Sequence, residues 1–105
     1  MKIDTLIEEI TAVHLEHFLP LQYDNKDLHK YHIIIRCFKD RQEDKSFYAD
    51  VVICRGDTGM HEYIDGNFYY NGSGVGYGST FEKALSSLLK KTKKSIGLYL
   101  KETTS

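Results

Sequence analysis

The sequence predicts an α+β domain of two layers, in the order α-β-β-β-α. The antiparallel sheet has three strands, four if the tail adds an edge strand, and both helices pack on one of its faces. Three observations predict it. Apolar residues recur at helical spacing near both ends of the chain. Two central segments alternate with a period of two and match each other in only one antiparallel register. A third, tyrosine-rich segment follows them, with glycine-rich sequence leading into the last helix.

The first helix is expected at about 4–18. Ile3, Leu6, Ile7, Ile10 and Val13 lie on one stripe, Asp4 or Thr5 serves as cap, and Pro20 is expected to stop the run. Residues 20–28 read as a polar connection.

The hairpin spans about 31–54. With Ile35 opposite Val51, Ile33 meets Ile53 and Cys37 meets Ala49, all apolar. The other side then pairs Arg36 with Asp50, Phe38 with Tyr48 and His32 with Cys54. A slip of one residue would set Ile35 against Asp50 and mix the faces, so hydrophobicity selects the register. Cys37 and Cys54 fall on opposite faces, too far apart for a disulfide, and Cys37 is expected to be buried.

A third strand is expected at about 60–70, interrupted at Asp65-Gly66 by a bulge or a tight hairpin. The glycine-rich loop 72–78 leads to a helix at about 80–91. Ser79 and Glu82 form a capping box, and Phe81, Ala84, Leu85, Leu88 and Leu89 form the apolar stripe. The tail, Ser95–Leu100, reads as a short helix or an added strand. The sheet face away from the helices is expected to show Arg36, Phe38, Tyr48, Asp50 and some third-strand tyrosines.

A chain of 105 residues makes one domain, 1–105, and its apolar content of 41% suffices for a core. The net charge of −1 argues against nucleic-acid binding by the whole surface. Charge is nonetheless split. Asp4, Glu8, Glu9 and Glu16 crowd the first helix, whereas Lys83, Lys90, Lys91, Lys93, Lys94 and Lys101 crowd the last. No apolar run reaches the roughly 18–20 residues of a membrane span, and the start has no signal-peptide core. A cytoplasmic protein with free thiols and no membrane association is expected.

Motifs for catalysis or cofactors are incomplete. Gly72–Gly78 precedes a helix, as anion-binding loops do, yet the Lys of a phosphate loop is missing, and a plain crossover is the simpler reading. His14/His17 and His29/His32 are spaced by three without the cysteine pairs of usual zinc sites. Cys54 opposite His32 lacks a third group to orient the histidine. No enzyme activity, metal or cofactor is expected.

Three resemblances bear on function. The element order, with Gly76-x-Gly78-Ser79 opening the last helix and Ala84 inside it, resembles the double-stranded-RNA-binding domain. That family grips phosphate with lysines in the first turn of its final helix, where this chain has Thr80, Phe81, Glu82 and Lys83. Gly76, Tyr77, Gly78, Ala84 and Leu85 resemble a segment of small phage and prophage accessory proteins. In size and style the chain is similar to anti-CRISPR inhibitors. The lack of a complete catalytic or metal set and the eight tyrosines lead to a non-enzymatic binder of a protein partner. The phage and anti-CRISPR likenesses imply that it occludes a CRISPR effector or other host nuclease sterically in the host cytoplasm. The alternatives are a nucleic-acid-binding module or a small enzyme using the glycine loop. Binding is expected at Tyr69, Tyr70, Tyr77, Gly76 and Gly78, and at Lys90, Lys91, Lys93 and Lys94.

Overall fold

The computed structural model describes residues 2–39, 46–64, 68–69 and 74–104, with side chains as far as Gly97. Helix α1 (Ile3–Val13) runs into a π-helical turn (His14–Phe18) and then helix α2 (Leu19–Gln22); a 3-10 turn (Asn25–Lys30) follows. Strands β1 (Tyr31–Lys39), β2 (Phe47–Arg55), β3 (His61–Tyr63) and β4 (Gly76–Gly78) precede helix α3 (Phe81–Thr104).

The hairpin forms in the expected register, from Tyr31 opposite Arg55 to Lys39 opposite Phe47, with Ile35 facing Val51 and Arg36 facing Asp50. β2 is central. Since β1 occupies the whole of one edge, β3 and β4 share the other, opposite residues 52–54 and 47–49 respectively. They run in the same direction, so they amount to one strand that leaves the sheet after Tyr63 and rejoins it at Gly76.

Both long helices cover one face. Leu6 and Ile10 of α1 meet Ala84, Leu85, Leu88 and Leu89 of α3 over Ala49 and Val51. A second cluster holds Phe18, Leu19, Tyr31, Ile53, Ile64 and Tyr69. The α+β class, the antiparallel sheet and the one-sided helical layer are therefore as the sequence predicts.

Five expectations are corrected. Pro20 does not stop the first helical run. The Leu19 N–H reaches back to the His14 carbonyl, a π-type bond, and this widened turn absorbs a proline that has no N–H to give. The third strand is short, because Ile64 and Tyr69 leave the sheet to fill the second cluster; whether Asp65-Gly66 forms a bulge or a turn lies outside the described residues. The fourth strand comes from the glycine-rich segment and not from the tail, which continues α3 to Thr104. The cap of α3 is Thr80, not Ser79: the Lys83 N–H donates to Thr80 Oγ1 at 3.1 Å. Cys37 is exposed, because it sits near the end of an edge strand.

Candidate functional site: an open aromatic sheet face

The even-numbered residues of β1 and β2 point away from the helical layer; Val52 among them is buried, while Arg36, Phe38, Tyr48 and Asp50 are part-exposed. They build a row of rings across three strands. Phe38 of β1 stacks on Tyr48 of β2, with centroids 5.0 Å apart. Tyr48 in turn lies 6.1 Å from Tyr77 of β4. The cross-strand pairs Phe38–Tyr48 and Tyr48–Tyr77 follow directly from the registers.

Beside the row, Arg36 is clamped in place. Its Nε donates to Asp50 Oδ1 at 2.8 Å and its Nη2 to Asp50 Oδ2 at 2.6 Å, a bidentate fork. Nη2 also donates to the Tyr63 hydroxyl at 3.2 Å. The guanidinium lies 5.1 Å from the Phe38 ring centroid and 5.6 Å from that of Tyr63. The Asp50 bonds first, then the Tyr63 bond, push the already high Arg36 pKa further up. Tyr63 and Tyr77 are 66% and 59% exposed, which leaves the faces of this aromatic and arginine cluster open to a partner.

Between β3 and β4, no described residue pairs with the edge of β2 at Asp50 and Val51. A cavity of about 140 Å³ opens there, lined by Asp50, Val51, Tyr63, Ile64, Tyr69, Gly74 and Val75. Its back wall is Tyr69, whose hydroxyl is already engaged by His14 Nε2 at 2.9 Å.

The residues expected to bind separate into different roles. Tyr77 is exposed and belongs to the row. Tyr69 is buried in the second cluster, so it supports the sheet from inside and presents no binding surface. Tyr70 lies outside the described residues. Gly76 and Gly78 alternate toward α3, where a Cβ would overlap the Ala84 carbonyl and Leu88 backbone, or Lys83 and the Ala84 amide. They hold β4 against the helix, and the glycine loop is a packing device, not a flexible crossover.

The four lysines do not form one patch. Lys91 Nζ donates to the Val75 carbonyl at 2.6 Å and lies 5.7 Å from the Tyr77 ring centroid. Lys93 Nζ donates to Glu9 Oε2 at 3.3 Å, so the acidic first helix and the basic last helix face each other across their seam. Lys90 and Lys94 are exposed. Because α3 runs to Thr104, the cluster lies within the helix and does not complement its C-terminal dipole.

The remaining motifs also resolve. His14 is fully buried with both ring nitrogens bonded, Nδ1 donating to the Ile10 carbonyl at 2.8 Å, so it does not chelate with His17. Among the described residues no three His, Cys, Asp or Glu side chains converge on a metal-sized site. Cys54 stands opposite His32, as the register requires. The Cys37 thiol is pushed above its ordinary value, first by partial desolvation and then by the Asp50 charge, which keeps it protonated.

Phe38, Tyr48, Tyr63 and the Arg36–Asp50 fork are the site members missing from the expected binding set. Period-two alternation in β1 and β2 already placed Arg36, Phe38, Tyr48 and Asp50 on this face. What the sequence does not signal is that Tyr63, from a strand of three residues, closes over Arg36. Set against protein-family models, curated proteins and solved structures, the chain matches none of them significantly.

Proposed function

We propose that this protein is a non-enzymatic binding module that seats its open sheet face on a partner protein. The observation that carries this reading is the uncovered row Phe38–Tyr48–Tyr77 beside the Tyr63–Arg36 stack. Tyrosine and arginine dominate protein–protein hot spots because they offer large area with polar tips at small entropic cost. Here their geometry is fixed before contact, since Asp50 and the neighbouring rings hold Arg36. Preorganisation of this kind lowers the ordering penalty of association.

Rows of exposed rings also stack nucleic-acid bases, but that use needs unpaired cations beside them. Arg36 is neutralised by Asp50, Lys91 is held by the Val75 carbonyl, and Lys93 pairs with Glu9. Lys91 keeps its charge over the Tyr77 ring, so the preference for a protein rests on the neutralised Arg36–Asp50 pair at the centre of the face. The finer version, a phage-encoded inhibitor of a host nuclease acting by occlusion, rests on the likeness of the Gly76-Tyr77-Gly78 segment and on size. Affinity capture, followed by titration of the purified captured protein, tests the reading. Tyr48→Ala and Tyr63→Ala are expected to weaken binding about tenfold or more each, the range of hot-spot truncations. Capture of nucleic acid with steep salt dependence would overturn it.

A further inference from the structure

β1 is an edge strand whose charges, Arg36 and Lys39, lie toward its C-terminal end, so its central run lacks the devices by which edges are usually kept from pairing. Its ladder with β2 is unbroken over nine residues, and its central run, Ile33-Ile34-Ile35, has no proline, no charge and no bulge. Among the described residues no strand pairs with its outer side. The cost shows in burial. Ile53, Val52 and Val51 of β2 are 0%, 1% and 4% exposed, whereas the isoleucines directly across from them are only half-buried. Among the described residues those isoleucines have no strand neighbour on the outer side.

We propose that this edge pairs antiparallel with the same edge of a second copy of the chain, about a twofold axis through Ile34. A twofold perpendicular to the sheet keeps both helical layers on one side, so odd residues must meet odd and even must meet even. The run His32-Ile33-Ile34-Ile35-Arg36 is symmetric in polarity about its centre. Centring on Ile34 sets Ile34 against Ile34 of the partner subunit, and Ile33 and Ile35 against each other's counterparts. Centring on Ile35 sets Ile34 against the partner's Arg36. Centring on Ile33 sets Ile34 against the partner's His32. Only the first register gives each of the three isoleucines an isoleucine partner, by the same logic that selects the hairpin. A foreign strand would find the same backbone edge, but a second copy brings the mirrored run with it. The two sheets become one of eight strands, open on the aromatic face and covered by helices on the other.

Sedimentation and oxidative cross-linking test the proposal in a Cys37→Ser, Cys54→Ser background. The protein is expected to sediment as a dimer. Ile34→Cys should give a disulfide-linked dimer on mild oxidation, whereas Ile35→Cys should not. Ile34→Lys should lose the dimer while keeping its circular dichroism, and its denaturation midpoint should no longer depend on protein concentration. A monomer at every concentration up to millimolar, or equal cross-linking through positions 34 and 35, would overturn it. The cross-linking pair decides the matter even where the lysine variant fails to fold.

Discussion

His14 Nε2 accepts a hydrogen bond from the Tyr69 hydroxyl at 2.9 Å, within a stack in which Phe18 lies 4.8 Å from the His14 ring and 5.1 Å from the Tyr69 ring. The Tyr69 O–H can donate here only while that nitrogen is unprotonated. Burial drives the His14 pKa from 6.5 to about 4, partly offset by the Nδ1 bond to the Ile10 carbonyl. This contact ties the π turn of the first helical run to the segment that leaves the sheet after β3.

Stability is therefore expected to fall as pH drops from about 6.5 toward 4. Between those values the unfolded chain binds a proton that the folded protein refuses, so stability rises with pH across the window. The full loss is about 3 kcal/mol, reached below the folded-state pKa. Urea midpoints measured across this range check it. A His14→Phe, Tyr69→Phe variant removes both polar partners and should flatten the slope; an unchanged slope would show that other groups produce it.

Gly76→Ala is expected to cost at least about 3 kcal/mol, the upper part of the overpacking range, because the obstructing atoms are helix backbone and cannot rotate away. Gly97→Ala is the control. Nothing lies near a Cβ there, and alanine favours helix by up to about 1 kcal/mol, so that variant should be neutral or stabilised. Thermal unfolding of the two proteins compares them directly. Equal midpoints would show that β4 does not depend on close approach to α3.

Leu85→Ala and Leu88→Ala are each expected to destabilise by about 2–5 kcal/mol, since both side chains are fully buried between the helices and the sheet. Chemical denaturation measures this, and an unmoved midpoint for either would contradict the packing of α3.

What was legible in the sequence is what local pattern encodes. The hairpin register follows from Ile35, Val51, Arg36 and Asp50 alone, because a one-residue slip reverses every face. The core stripe of α3 follows from its period. The misread parts depend on distant partners. Pro20 signals a helix end unless a π turn precedes it, and nothing local announces that turn. Tyr69 and Tyr77 are both tyrosines expected to bind, yet one meets His14 and the other meets solvent. The glycines at 76 and 78 suggest freedom when read alone, and their actual role depends on which backbone lies opposite.

The comparison that decides the function sets Tyr77→Ala against a Lys90→Ala, Lys94→Ala variant. Tyr77 is exposed on a sheet already held by the glycines beside it, so its removal should shift stability by less than about 1 kcal/mol, unlike truncation of a core aromatic. If the open face is the interface, partner affinity should fall about tenfold or more while the fold persists. Lys90 and Lys94 lie exposed on α3, in the layer behind the sheet, so their loss should change protein binding little. Lys91 and Lys93 are left intact because one supports the Val75 carbonyl and the other pairs with Glu9, and removing them would confuse folding with binding. Isothermal titration at two salt concentrations reads both effects. If the lysine variant loses binding while Tyr77→Ala keeps it, the contact runs through the helix and a polyanion, and the sheet-face reading is wrong.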